Sequence, residues 1–330
     1  MNAAVILDFD RRPSAVPYMV RGIMPVTRHV DLAPQISARW HGHRAKRHEL
    51  AAFNRVAGLP PAGTTLPLLY PHTFGFRLAM AILTHPGFPV PIWGVLQTRN
   101  HLVQHRDIEV DEPLDFETRV MRGRVVPKGA EFDLHTTVHV EAALAWESIV
   151  TFFTRGRFGE PGPASPLTRS PSDIGPLAAE WTMRDADHWK FGGFTGDYNG
   201  IHIWNWYARR LGFHRAFYHP PRVLGECLAR LPRGASMDAR DGRLRLDAWL
   251  KGPVPHGATV RMHATTTASA ATFALFAEDE RPSIVGRLEV PVVGSVGSVG
   301  SVGSHDPAAA AWWPQAAAQL QEPSWLETST

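Results

Sequence analysis

The sequence predicts an α+β protein made of two copies of one unit, each a helix wrapped by a curved antiparallel sheet, with the sheets side by side as a pseudo-dimer. Three observations carry this expectation. A short motif recurs, FNRVAG at Phe53–Gly58 and FGGFTG at Phe191–Gly196. Each copy is followed by a Tyr/His/Pro cluster that opens an apolar helical stretch, YPHTFGFRLAMAIL from Tyr70 and YHPPRVLGECLARL from Tyr218. After each helix come runs with strand character separated by turn signals. A helix and a set of antiparallel strands, repeated once, bury their apolar faces most simply by wrapping sheet around helix.

In the first half the strand-like runs span roughly 93–104, 114–125, 132–140 and 143–154. In the second they span roughly 243–251, 258–267, 272–277 and 283–291, with period-two alternation visible in RLRLDAWL and TVRMHATT. A Pro/Gly/Ser-rich stretch from Gly156 to Pro176 reads as a linker. The expected organisation is therefore a first unit over 1–155, a linker over 156–180, a second unit over 181–291, and a Gly-Ser-Val-repeat and Ala-rich tail over 292–330 expected to be disordered.

Composition narrows the function classes. The 330-residue chain has 44% hydrophobic and 20% charged residues and a formal charge of only +3. That balance fits a globular protein and offers no basic face of the kind nucleic acids require. The densest basic run, RWHGHRAKRHE from Arg39 to Glu49, has a helical look and reads first as a solvated face. A single cysteine, Cys227, excludes an internal disulfide framework and lies at helical spacing among apolar residues, as a core thiol would. The N-terminus lacks the pattern of a signal peptide, and no apolar stretch is long enough to span a bilayer. A soluble, cytoplasmic protein is expected. The 17 histidines show no HExxH or paired-Cys spacing, so no metal is expected. No P-loop or GxGxxG follows a strand.

The stretch FTGDYNGIH (194–202) marks where the halves diverge. Leu59 stands in the first copy where Asp197 stands in the second; Leu59 precedes His72 by 13 positions, whereas Asp197 precedes His219 by 22. The second half has gained a segment that carries Asn199 and His202. Gly196 and Gly200 let the chain turn there, so Asp197 and His202 can meet as a carboxylate–imidazole pair, hold a water and move its protons. Asn199 would orient the pair or a substrate carbonyl. The plainer reading stays open: Asp197 caps a helix over Ile201–Leu211, and His202 is a buried polar residue.

FGGFTGDYNGIHIWNWYA resembles the motif of the MaoC-like (R)-specific enoyl-CoA hydratases and 3-hydroxyacyl-thioester dehydratases: an aromatic, Ser/Thr-Gly-Asp-x-Asn-Pro, an aliphatic, His, five residues, then Ala or Ser. Phe191, Thr195, Gly196, Asp197, Asn199, Ile201, His202 and Ala208 match it. A Ser/Thr-Gly-Asp-x-Asn-x-x-His string arises by chance in such a chain with probability on the order of 10⁻⁴. The resemblance covers nearly all of 15–290 and implies a double hot-dog fold, with a degenerate first unit shaping the acyl cavity. It implies Asp197 and His202 as the catalytic dyad, Asn199 as its support, and Gly196, Gly200, His219 and Arg222 as substrate-binding positions. The implied reaction is reversible syn hydration of a trans-2-enoyl thioester. The substrate brings its own coenzyme A or acyl-carrier phosphopantetheine, and no other cofactor is implied. Two departures stand out. Gly200 replaces the usual proline, which is expected mainly to loosen the loop. Pro220 replaces the glycine whose N–H usually faces the thioester oxygen, and proline has no N–H; the N–H of His219, or the side chain of Asn199 or Arg222, would have to take its place. Arg209, Arg210, Arg215 and Lys251 are weaker candidates for phosphate contacts, and Trp204, Trp206, Phe213 and Phe217 for an acyl pocket. A hot-dog thioesterase and a non-catalytic acyl-thioester-binding protein remain as alternatives, and association into a homodimer stays open.

Overall fold

The computed structural model describes residues 4–22, 32–232 and 242–290; the tail that begins at 292 lies outside them. The chain opens with β1 (Val5–Phe9) and α1 (Ala15–Gly22). The first repeat follows as β2 (Ile36–His43), α2 (Arg47–Ala57), α3 (Leu69–Leu83), β3 (Val95–Gln104), β4 (Leu114–Val126), β5 (Gly129–Val140) and β6 (Ala143–Arg155). The second runs β7 (Leu177–Thr182), α4 (His188–Thr195), α5 (Asn205–Arg210), α6 (Pro220–Arg230), β8 (Leu244–Leu250), β9 (Thr259–Thr266), β10 (Ala270–Phe276) and β11 (Ile284–Glu289).

Among the described residues the eleven strands form one sheet in the order β1-β2-β4-β5-β6-β3-β8-β11-β10-β9-β7. Taking the five strands of each repeat in chain order, both halves have the order first-third-fourth-fifth-second. The repeat seen in the motifs is thus a repeat of topology, and each half is a hot-dog unit. The halves join where their second strands pair antiparallel, Arg99 opposite Trp249 through Gln104 opposite Leu244. β1 is an addition, parallel to β2 at one edge.

The helix α3 is the filling of the first unit. Every residue in it but Phe76 is buried, which is how a helix apolar on all sides behaves when a sheet wraps it. Its counterpart α6 buries the face holding Val223, Leu224 and Cys227. The shared motif has one structural meaning in both halves. It ends a short helix on a glycine in the left-handed region, Gly58 at φ 70° and Gly196 at φ 76°, where side chains with a Cβ are disfavoured. Each of these helix ends packs across the molecule onto the long helix of the other half: Gly58 sits on Glu226, and Gly196 on Arg77.

Several expectations need correction. The basic run Arg39–Glu49 is not one helix: Arg39–His43 completes β2, and α2 starts only at Arg47. Pairing of Trp40 with Phe116 and of Arg39 with Glu117 holds the strand, so tertiary pairing overrides local propensity. The last residues of the 156–180 span belong to β7. Its sequence, LAAEWT, has little strand propensity of its own and is extended because it pairs with β9 at the sheet edge. The single helix over Ile201–Leu211 is instead a 3₁₀ turn, Gly200–His202, and the separate α5; extended backbone at Trp204 divides them.

The segment before β7 is strapped across the outer face of the sheet. Leu167 packs on Ile149 of the first half, and its carbonyl accepts the Trp249 indole N–H at 2.8 Å from the second. Lys251 Nζ donates to Ser170 Oγ at 2.8 Å.

The crossing of α2 over α6 yields a prediction. A Cβ at Gly225 would press on the Ala57 carbonyl, and neither backbone can yield cheaply. Gly225→Ala should therefore lower the unfolding free energy by about 1–3 kcal/mol, read by urea denaturation. An unchanged midpoint would mean that the two halves do not meet this closely.

Candidate active site

The loop over 194–202 is built by successive local bonds. Gly196 ends α4 and turns the chain, and the Asp197 N–H donates to Thr195 Oγ1 at 3.1 Å. Asp197 Oδ1 accepts the Asn199 N–H at 2.9 Å, and Asn199 Oδ1 accepts the Ile201 N–H at 3.2 Å. These two side-chain turns leave Asp197 Oδ2 free of the loop and aimed at the histidines. The capping role thus falls to Asn199, which starts the 3₁₀ turn.

His202 Nε2 lies 3.6 Å from Asp197 Oδ2, too long for a direct hydrogen bond and suited to a water that touches both. On the far side of the ring, His202 Nδ1 donates to the Phe217 carbonyl at 2.9 Å. A carbonyl only accepts, so it fixes the proton on Nδ1 and leaves Nε2 as a lone pair facing the carboxylate. His219 stacks on His202, ring centres 3.9 Å apart, and its Nε2–H donates to the Asp197 backbone carbonyl at 3.0 Å. Burial pushes His219 down, the charge of His202 adds to this, and it sits at about 3. Burial alone would raise the Asp197 carboxyl; His202, His219 and the Asn199 N–H outweigh it and hold it at about 2. At neutral pH the Asp197 carboxyl is ionised and faces the His202 ring.

A cavity of ≈ 100 Å³ opens in front of this pair, walled by Asp197, Asn199, His202 and His219 from the second half. Its other wall comes from the first half, with Tyr18, Phe76, Met80 and Phe152 among its residues. A second cavity, ≈ 260 Å³, adjoins it and has Lys251 and Phe213 in its lining; Leu96, Gln97, Phe217 and Pro220 line both.

The remaining expected site residues fall elsewhere. Arg222 lies outside both linings: its guanidinium donates to the carbonyls of Ala186 at 2.6 Å and Arg184 at 2.8 Å and stacks on Tyr218. It braces the entry to α4. Gly196 and Gly200 are backbone positions, not cavity walls. Gly200 sits against the Tyr207 ring, which a Cβ there would meet at 2.7 Å. Trp204 and Trp206 are exposed rather than lining a pocket. Arg215 pairs with Glu278, and Arg209 Nε donates to the His214 carbonyl at 3.1 Å. Sequence reasoning missed Tyr18 on α1 and Phe76 and Met80 on α3; the apolar face of the YPHTFGFRLAMAIL helix was the available signal for the latter two.

The start of α6 offers no backbone donors from its first two residues. Pro220 and Pro221 open the helix without N–H groups, and the N–H groups of Arg222 and Val223 turn to the His219 carbonyl at 3.1 and 3.4 Å. Among the donors carried by residues of the cavity wall are the Asn199 amide and the Tyr18 hydroxyl. The latter is buried without a hydrogen-bond partner, and burial raises it to about 12, so it keeps its proton.

Among the described residues, two Asp–His–His groups have ligand atoms close enough to consider a metal, Asp197/His202/His219 and Asp185/His188/His256. In the first, His202 Nδ1 and His219 Nε2 are taken by carbonyls and the rings are stacked. In the second the rings are parallel within 2° at 3.6 Å. In-plane lone pairs of stacked rings run side by side rather than converging on one ion, so neither donor set suits a metal.

No protein-family profile matches the sequence. The chain is 28% identical over 236 residues, 69% of its own length and 84% of the other's, to 3-hydroxyacyl-thioester dehydratase X of Mycobacterium tuberculosis. A crystal structure of HtdX from the same organism superposes with TM-score 0.63 at 25% identity, covering 76% of this chain and 98% of that one. A MaoC-like dehydratase from Phytophthora capsici superposes with TM-score 0.61 at 17% identity, over 79% and 97%. The fold is that of the MaoC-like double hot-dog dehydratases. Among the described residues no helix is long and apolar enough to cross a membrane.

The neutral state of His219 has a consequence for stability. Its value is about 3 in the fold against an ordinary 6.5, so between those pH values the unfolded chain binds a proton that the native chain refuses. Stability is lost as pH falls from 6.5 towards 3, by at most about 1.4 kcal/mol per pH unit from this group. Urea titrations of wild type and His219→Gln between pH 6.5 and 4.5 should show a shallower decline in the variant; parallel declines would place the burden on other histidines.

Proposed function

We propose that this chain, a double hot-dog homologue of a 3-hydroxyacyl-thioester dehydratase, interconverts 3-hydroxyacyl and trans-2-enoyl thioesters by syn loss and addition of water. The observation that carries the reading is the meeting of Asp197 Oδ2 and His202 Nε2 at 3.6 Å, on the wall of a cavity whose opposite side is largely apolar.

In the hydration direction a water donates its two protons towards the carboxylate and the imidazole lone pair. Its oxygen bonds to C3 of the enoyl group, and the C2–C3 π electrons move into the thioester as an enolate. The proton taken from the water passes to C2 on the same face, and the enolate collapses to the carbonyl. Dehydration is the reverse. The hydroxyl on C3 and the proton on C2 together make up one water, so no external reductant or oxidant enters the balance. While the enolate exists its oxygen needs a donor, and Asn199 or Tyr18 takes the part that Pro220 cannot. The acyl group occupies the first cavity. The phosphopantetheine arm of coenzyme A or of an acyl carrier passes Leu96 and Phe217 into the second, where Lys251 stands. A cytoplasmic location and catalysis by a single chain, with or without further dimerisation, complete the reading. Pro220 supports a second one: a relative on the same fold that hydrolyses the thioester, or only binds it.

The test is hydration of crotonyl-CoA and of a longer trans-2-enoyl-CoA, followed by loss of enone absorbance. Asp197→Asn and His202→Ala should each lower kcat by about 10²–10⁴-fold while unfolding at the wild-type temperature. Background rates in all three proteins, or release of free thiol from a saturated acyl-CoA, would reject the dehydratase reading, and the latter would establish the thioesterase.

A further inference from the structure

Arg77 is the one Asp, Glu, Lys or Arg in α3, and it is 6% exposed. A buried guanidinium is tolerated where its fixed fork of donors is engaged. Here the donors go to main-chain carbonyls of other segments. Nε donates to the Phe194 carbonyl at 3.2 Å, one terminal nitrogen to the Gly193 carbonyl, and the other to the Pro13 carbonyl at 2.7 Å. Gly193 and Phe194 belong to the last turn of α4, where carbonyls have no partner within the helix and a cation is favoured. The next residues are Thr195, Gly196 and Asp197. The stem of Arg77 runs directly beneath Gly196, where a Cβ would lie 3.1 Å from Cγ. Pro13, at the third donor, leads into α1, whose Tyr18 lines the cavity.

We infer that Arg77 is a positioning residue: from the first half it sets the height and direction of the loop that presents Asp197 and His202, and ties α1 to the same point. Three carbonyls from two segments are gathered on one rigid group that cannot lose its charge. The matching crossing in the other half is built differently. Beneath Gly58 lies Glu226, which pairs at 3.1 Å with Arg230 on its own helix and leaves the loop alone. The inference rests on the reading of Asp197 and His202 as the reacting pair, but the position of the loop can be read independently of any reaction.

The experiment compares full-length wild type, Arg77→Met and Arg77→Lys. Arg77→Met, which keeps the volume and removes the fork, should lower kcat by about 100-fold with KM within about threefold. Arg77→Lys restores the charge but not the fork and should recover only part of the loss, and guanidinium ion should partly rescue Arg77→Ala. In hydrogen exchange, amides 195–203 of Arg77→Met should exchange at least about tenfold faster while those of β3 and β8 keep the wild-type rate. Unchanged kcat with unchanged exchange overturns the inference and leaves the dehydratase reading intact. Faster exchange throughout the protein also overturns it, since Arg77 would then be only a structural residue. If wild type hydrates no enoyl thioester, the reaction reading fails, and the exchange data alone decide the role of Arg77.

Discussion

The antiparallel pairing of Arg99–Gln104 with Leu244–Trp249 is the constraint on which the rest depends. Without it there are a six-stranded and a five-stranded sheet, each with one filled concave face and an unpaired edge in the middle. With it, α3 and α6 come to lie next to each other. The short helices α2 and α4 then have only one place to end, on the long helix of the opposite half. The cavity follows from that crossing: the carboxylate and the imidazoles stand on one half, while much of the apolar wall belongs to the other.

One crossing is used in two ways. Over α6 it is closed: Gly58 and Gly225 allow the backbones to meet, and Leu59 follows where an acid follows in the other copy. Over α3 it is held apart by an arginine, and the chain leaving α4 spends its next residues on side-chain turns that satisfy the loop locally and leave Asp197 Oδ2 pointing outward. The histidines are then held by carbonyls, of Phe217 for His202 and of Asp197 itself for His219. The protonation pattern of the site is therefore written largely by main-chain geometry, with few side chains to spare.

Much of this was legible in the amino-acid order. The eight strands after the long helices follow the alternating runs to within about three residues, because each has one face on a core and its hydrophobic period survives tertiary packing. The motif placed Asp197, Asn199 and His202 together, since all three lie in one turn. Legibility failed where the fold acts at a distance. LAAEWT is a strand only because β9 lies beside it. Ile36, Ala38 and Trp40 alternate, but the basic run from Arg39 to Glu49 had a helical look that ran across the end of this strand. Arg222 was singled out by its place in the motif, whereas Arg77 was passed over. The first turned out to brace a loop entrance, and the second, a lone charge in an otherwise apolar helix, carried a signal that went unused.

The strap from Gly156 to Pro176 covers the outer face of the sheet, but it also settles a question of concentration. Where two separate hot-dog chains must meet to complete a cleft, dilution takes the cleft apart. Here the partner half is covalently attached and docked at Leu167, so its effective concentration does not depend on how much protein is present. Both walls of the cavity are thus held in one chain, whatever the protein concentration.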